Sequence, residues 1–444
     1  MRIDEIVKIT GAKVLSCKSK ETDIETFSTD TRTTKSGDFY LPLKGESFDG
    51  EKFIAQAIEK GAIGYFTTSN EILDNNLIAL KVTDTKIAYL QLARAHRKEI
   101  NPKVVMITGS SGKTTTKELV SSVCSQKFKT FKTPLNHNNE IGLCQTIFNM
   151  PPDTEVLIIE GGMRGLGEIE IISEYALPDI SIICNVGTAH IGRLGSRENI
   201  AKAKCEITKF QNPEGTFIGY DNQLIKDNLV FDGEKIFYSI NDTQILDKKV
   251  GYSKFVYQGE EYELNIEGDY NIENSLAAIN TGKKLGMSPI EISEGLKSYK
   301  PIEKRWESKI INNYEIINDS YNANPESMKA AISTIFELYP KSTIILGDMG
   351  ELGENEKIYH SEVGEFINQN CHSENRILTI GTLSNEITKK IEKCFSKNFS
   401  TNSDATKYIL ENIQEKTTIF LKASRAMKFE EIIEELKLAK ETIK

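Results

Sequence analysis

Gly109, Ser110, Ser111, Gly112, Lys113, Thr114 and Thr115 follow the apolar run KVVMIT and precede a helical pattern. At such a strand-to-helix turn, glycines let the backbone approach an anion and the N–H groups of the helix start face it. A lysine there reaches the outer phosphates, and a threonine hydroxyl reaches Mg2+. The segment predicts a nucleotide phosphate loop with Lys113 and Thr114 as its working pair. Two residues separate its glycines where the usual loop has four, and a plain glycine turn is the competing reading. The register of Lys113 and Thr114 with the glycines favours the phosphate loop.

Glu160 ends the run EVLIIE, and His190 follows ISIICNVGTA. In an open parallel sheet, ligands bind beyond the carboxyl ends of strands, so this carboxylate and imidazole could reach a metal held by the nucleotide. Each also has a plainer reading, the glutamate as a cap or ion-pair partner and the histidine as a structural residue. Lys204 lies in NIAKAKCEITKF. At about 100° per residue, the stripe Ile200, Ala203, Ile207 and Phe210 leaves Lys204 on its border and Lys202 pointing away. An ammonium offers only donors, so it cannot ligate Mg2+ unless converted to an anion such as a carbamate. Spacing alone favours a lysine that snorkels to the surface.

These residues need a scaffold of parallel strands and covering helices, and the chain is long enough to supply several cores. Its 444 residues predict roughly three domains. Hydrophobic residues at 39% and charged residues at 27% match an ordinary globular protein. A net charge of −9 without long runs of one sign disfavours a nucleic-acid partner. Seven cysteines with no C-x-x-C pair suit a reducing compartment. MRIDEIVKITG lacks the features of a signal peptide, and no stretch approaches eighteen apolar residues, so a cytoplasmic protein without membrane insertion is expected.

Residues 1 to about 83 read as short strands with one helix, EKFIAQAIEKGA, whose stripe is Phe53, Ile54, Ala57, Ile58 and Ala62. A helical connector then runs to Asn101-Pro102, where a helix should stop. From Lys103, apolar runs alternate with helices, including one from Thr114 and one around 198–210, which argues for a largely parallel sheet covered on both faces. A third stretch opening near Lys309 repeats the alternation through YEIINDS, STIILGDMG, RILTIG and TTIFLKASR.

GSSGKTTT, the Glu160-Gly-Gly-Met-Arg-Gly stretch, Asn185 to His190, AKAKCEI, Asp319-Ser-Tyr-Asn-Ala-Asn-Pro and Leu346-Gly-Asp-Met-Gly-Glu-Leu-Gly together resemble the Mur ligases of cell-wall synthesis. The last two motifs are similar to the branch that joins D-alanyl-D-alanine to UDP-N-acetylmuramoyl-tripeptide. The resemblance covers nearly the whole chain and implies an α/β protein of three domains. These are a small N-terminal α/β domain with the connector (1–100) for the UDP substrate, a central, mostly parallel sheet with the phosphate loop (101–308), and a C-terminal Rossmann-like domain (309–444).

The resemblance implies ATP, two Mg2+ ions and a carbamylated lysine as cofactors, with Thr114, Glu160, His190 and Lys204 at the metal site and Lys113, Lys204 and His190 in catalysis. It places Asn138, Asn139, Arg305, Asp319, Tyr321, Asn322 and Asn324 near the nucleotide, and Ser28, Thr31, Arg32, Lys44 and Gly45 near the uridine diphosphate. It further implies an acyl-phosphate mechanism and a monomer. Glu51 stands where the family usually has a histidine and Ala423 where it usually has a glycine, so those two contacts are not carried over. The competing functions are a sister ligase adding the third residue, a folylpolyglutamate synthetase, or a non-catalytic nucleotide-dependent scaffold.

Overall fold

The computed structural model describes residues 1–17, 22–45, 48–134, 137–302 and 304–439, which divide into two compact units. The first comprises residues 1–102 and 133–155. Its sheet runs Lys13–Ser16, Ile78–Lys81, Gly64–Thr67, Phe39–Tyr40, Phe27–Ser28, with the first pair antiparallel and the rest parallel. Tyr40, Ile54, Ala57, Ala62, Tyr65 and Ala79 form a core on it. Gly64 is obligatory there, because a Cβ would lie 2.4 Å from the Phe39 ring and 2.6 Å from the Ile78 carbonyl oxygen.

Two helices in this unit differ from the sequence expectation. Ile3–Thr10 is an additional helix, and the expected 51–62 helix is a 3-10 turn, Gly50–Phe53, followed by Ile54–Glu59. Phe53 therefore leaves the stripe and is 37% exposed. The connector forms as read: Asp84 caps Thr85–Ile100 by accepting the Ile87 N–H, and Asn101 ends it at φ 53° just before Pro102. Segment 133–155 contributes the helix Glu140–Phe148, whose Phe148 ring stacks on Tyr89 of the connector at 5.4 Å.

The second unit comprises residues 103–132 and 156–444. Its first sheet is parallel throughout, in the order Glu234–Tyr238, Thr216–Tyr220, Ile180–Ile183, Lys103–Thr108, Val156–Glu160, Thr130–Lys132. Val104 to Ile107 are fully buried, as central strands of a helix-covered parallel sheet must be. Helices Lys113–Cys124, Glu168–Ala176 and Asp269–Lys284 pack on this sheet. Pro289–Ser298 packs on Lys113–Cys124 so closely that a Cβ on Gly295 would lie 2.4 Å from Val123 Cα.

An antiparallel meander, Thr243–Lys249, Tyr252–Tyr257 and Glu260–Leu264, follows this parallel sheet and was not anticipated. Its second turn places Gln258 and Gly259 at φ 52° and 83°, the left-handed pair that tight hairpins require. The last sheet runs Glu307–Ile311, Tyr314–Asn318, Thr418–Lys422, Ser342–Gly347, Arg376–Ile380, Phe395–Phe399, parallel except for its first pair. No helix among the described residues is long and apolar enough to cross a membrane.

Candidate active site

The phosphate-loop segment spans the end of Lys103–Thr108 and the start of Lys113–Cys124. Gly112 precedes the helix at φ 77°, and a Cβ there would lie 2.5 Å from Asn274 Oδ1, so both conformation and space demand glycine. Gly109 lies against Cys184, with 2.9 Å between a would-be Cβ and the Cys184 Cβ. Asn185 shapes the loop: its Oδ1 accepts the N–H groups of Ser110 and Ser111 at 3.1 and 2.9 Å, and its Nδ2 donates to the Ser111 carbonyl and hydroxyl at 3.1 Å. Ser110 Oγ accepts the Gly187 N–H at 2.9 Å. Lys113 Nζ donates to the Gly109 carbonyl at 2.9 Å. Burial holds this ammonium below its ordinary pKa, against the opposing charge of Glu160. Thr114 is buried, and Thr115 is half-buried on the same turn.

Glu160 ends Val156–Glu160 as expected and is buried. Its Oε2 lies 3.5 Å from Lys117 Nζ, one turn beyond Lys113, and Lys117 also faces Glu118 at 3.4 Å. Glu118 in turn bonds Lys132. The sequence reading did not single out Lys117 or Glu118.

The expected 198–210 helix is Arg197–Cys205 followed by a 3-10 turn, Glu206–Thr208, so Phe210 falls beyond it and is 37% exposed. Lys204 does not snorkel. It is 1% exposed while Lys202 is exposed, and no carboxylate among the described residues pairs with it. Its pKa is pushed well below the ordinary lysine value, first by burial and then by the charge of Lys113.

His190 adopts φ 66° at the start of Ile191–Leu194, and its Nδ1 lies 2.5 Å from Glu351 Oε2. Thr188 Oγ1 donates to Glu326 Oε2 at 2.8 Å. In the last sheet, Asp319 Oδ2 accepts from the buried Lys422 at 2.5 Å, and Lys422 also reaches the Asn322 carbonyl at 3.5 Å. The Arg305 guanidinium lies 4.1 Å from the centre of the Tyr321 ring, a cation–π contact. Asn324 caps Pro325–Leu338 by accepting the Ser327 N–H at 2.8 Å. Ala423 is buried, and its Cβ would meet a Cβ on Gly347 at 2.7 Å.

The first unit holds the remaining candidates. Ser28 Oγ bonds Thr34 Oγ1 at 2.7 Å, and Thr31 Oγ1 donates to Gln56 Oε1 at 2.9 Å. Arg32, 87% exposed, pairs with Asp30 at 2.6 Å and holds that carboxyl down at about 2. The Lys44 and Asp49 backbones pair in an isolated antiparallel bridge, and the Gly45 N–H donates to the Phe48 carbonyl at 2.8 Å. Glu51 is committed to structure, accepting the Thr68 N–H at 2.7 Å and the Thr67 hydroxyl at 3.1 Å. Asn139 caps Glu140–Phe148 by accepting the Gly142 N–H at 2.9 Å, with Asn138 beside it in the chain.

The donors near the loop fit a metal carried by a nucleotide. Among the described residues, no group of three His, Cys, Asp or Glu side chains converges to hold an ion. Thr114 offers a hydroxyl and Glu160 a carboxylate, the oxygen donors that Mg2+ supplements with substrate phosphates and water.

Three family models match in sequence order: the Mur ligase family catalytic domain over residues 23–103, the Mur ligase middle domain over 107–282 and the Mur ligase glutamate ligase domain over 304–425. A Bacillus subtilis strain 168 protein named UDP-N-acetylmuramoyl-tripeptide–D-alanyl-D-alanine ligase is 35% identical over 449 residues, 98% of each chain. The chain belongs to the Mur ligase family. This Mur ligase superposes on MurF from Acinetobacter baumannii with a TM-score of 0.90 and 27% identity, covering 98% of both chains. It superposes on MurF from Thermotoga maritima in complex with ADP with a TM-score of 0.84 and 25% identity, covering 94% of this chain and 98% of that one. Mur ligases are ATP-dependent ligases that use Mg2+, so this Mur ligase is an enzyme and the scaffold reading falls.

Proposed function

We propose that this Mur ligase joins D-alanyl-D-alanine to UDP-N-acetylmuramoyl-tripeptide in the making of peptidoglycan precursors, releasing ADP and phosphate. The observation that carries the choice within the family is the full-length match to the Bacillus subtilis ligase of that name. The carboxylate of the tripeptide attacks the γ-phosphorus of ATP and expels ADP. The amine of D-Ala-D-Ala then adds to the acyl phosphate, and phosphate leaves with one oxygen of that carboxylate. Lys113 and the N-terminal turn of Lys113–Cys124 face the β- and γ-phosphates and neutralise charge as the anionic carboxylate approaches. Thr114, Glu160 and His190 would hold Mg2+, two ions in all, which supplies further charge neutralisation.

Lys204 is proposed to work as a carbamate. Burial and the charge of Lys113 disfavour the Lys204 ammonium and so favour the free amine that adds to CO2, and the resulting carbamate anion would be attracted by Lys113 where the ammonium is repelled. Residues 1–100 are proposed to bind the uridine diphosphate through Ser28, Thr31, Arg32, Lys44 and Gly45. Residues 101–308 are proposed to bind ATP, Asn138 and Asn139 included. Residues 309–444 are proposed as the third domain, its Asp319, Tyr321, Asn322 and Asn324 joining Arg305 near the nucleotide. A cytoplasmic monomer completes the reading.

A coupled assay of ADP release, with UDP-muramoyl peptides of defined length and each of several amine acceptors, tests it. ADP release that requires both the tripeptide and D-Ala-D-Ala is expected. Release driven by a UDP-dipeptide with a diamino acid would assign the chain to the sister ligase, and release driven by folate and glutamate to the folate enzyme.

A further inference from the structure

We propose that Glu351 is a positioning residue for His190, so that the histidine is ready for its task only when the loop after Ser342–Gly347 is docked against the segment after Ile180–Ile183. The proposal rests on the reading of His190 as a Mg2+-facing residue.

The two side chains meet at 2.5 Å, Nδ1 to Oε2. Neither residue is in an ordinary conformation: His190 has φ 66° and Glu351 φ 63°, a left-handed backbone that a non-glycine residue keeps only where its surroundings enforce it. The surroundings are on both sides of the contact. The Gly192 N–H donates to the Glu351 carbonyl at 3.0 Å, so main chain and side chain of Glu351 both hold the histidine segment. Gly192 and Gly353 pass so closely that a Cβ on Gly192 would lie 2.6 Å from the Gly353 nitrogen.

The loop that delivers Glu351 is itself anchored. The Met349 N–H donates to the buried His360 Nε2 at 2.9 Å, and Asp348 Oδ1 accepts the Ser384 N–H at 2.7 Å. A second tie, between Thr188 and Glu326, joins the same two parts of the unit.

The chemistry follows from the acceptor-only nature of a carboxylate. Glu351 favours the imidazole form that carries its proton on Nδ1, and a neutral imidazole of that form presents Nε2 as a lone pair. A metal-facing histidine needs that tautomer, and a carboxylate on the opposite nitrogen is the usual means of setting it. Here the carboxylate comes from a distant part of the chain.

The test uses the full-length protein labelled with nitrogen-15 and free of nucleotide. The sequence has only 5 histidines, and the His190 ring signals are identified by their loss in His190→Asn. Wild type should show the proton of His190 on Nδ1, facing Glu351, and Glu351→Ala should shift the ring toward the Nε2-protonated form. Electron paramagnetic resonance titration of Mn2+ in the presence of ADP should then show about 10- to 100-fold weaker binding in Glu351→Ala. Glu351→Asp, which keeps the charge, should restore part of both signals. An Nε2-protonated His190 in wild type, or unchanged Mn2+ affinity in Glu351→Ala, overturns the proposal. A protein that passes both tests but does not use D-Ala-D-Ala would count against the substrate assignment and leave Glu351 in its role.

Discussion

Lys117 Nζ lies 3.5 Å from Glu160 Oε2, with the two side chains only 1% and 2% exposed. Lys113, one turn earlier on the same helix, spends its ammonium on the loop carbonyl of Gly109. Two lysines on one helix face thus have different partners: Lys117 compensates a buried carboxylate, and Lys113 holds the loop carbonyl and is the lysine proposed above to meet the phosphates. Lys117→Met should cost about 3–5 kcal/mol of stability, read from the urea midpoint, because a buried charge loses its partner. Lys113→Met should keep most of the wild-type midpoint while slowing ligation by about 10²- to 10⁴-fold. A Lys117→Met protein as stable as wild type would contradict the first assignment, and a folded Lys113→Met with more than half the activity would contradict the second.

Glu273 gives the fold a pH dependence of known sign. Burial pushes its carboxyl up to about 7 from an ordinary 4.5. Between those values the folded protein binds the proton that the unfolded chain releases, so this residue's contribution to stability falls as pH rises through the window and is level above it. Glu273→Gln removes that loss. The variant should match wild type near about pH 5 and exceed it by about 2 kcal/mol near about pH 8, measured by denaturant unfolding. An advantage of equal size at both pH values would show that the gain comes from packing and not from ionisation.

Lys204→Ala should be nearly inactive and Lys202→Ala mildly affected, since the first is buried and the second exposed. If the working group is a carbamate, a short carboxylic acid added to Lys204→Ala should restore part of the rate by supplying an anion in its place. No restoration with any small carboxylate, together with an unmodified lysine in a nucleotide-bound crystal, would remove the carbamate from the account.

Arg32 is 87% exposed and bound only to Asp30 among the described residues. If it meets the uridine diphosphate, Arg32→Ala should raise the KM for the UDP-peptide roughly ten-fold and leave that for ATP unchanged, because a charge-assisted contact contributes about 1.5–3 kcal/mol. Equal rises in both would mean that the residue does not recognise the UDP moiety.

The parts of this molecule that were legible in its sequence are those determined by near neighbours in the chain. The glycine, lysine and threonine spacing marked the loop, the apolar runs marked the parallel strands, and Asn101-Pro102 marked the end of the connector. The partners that complete the site come from far along the chain. Asn185 lies 74 positions from Ser111, and Lys422 lies 103 positions from Asp319, so no local pattern announces them. Spacing alone favours a surface position for Lys204, because helical periodicity places it on a border and only the packed neighbours decide which side it takes; the family resemblance, not the period, puts it in the site. Lys117 carries no sequence signal, because a lysine one turn past the loop has the pattern of a solvated face and its partner Glu160 lies 43 positions along the chain.

The central claim is that the loop activates a carboxylate by γ-phosphoryl transfer, and the most direct measurement follows the oxygen. UDP-muramoyl-tripeptide carrying heavy oxygen in its terminal carboxylate is turned over with ATP, Mg2+ and D-Ala-D-Ala, and the products are analysed by mass spectrometry. The account predicts one labelled oxygen in inorganic phosphate for each amide bond formed, ADP as the nucleotide product and no label in AMP. Label in AMP with release of pyrophosphate, or unlabelled phosphate formed at the rate of ligation, would contradict it.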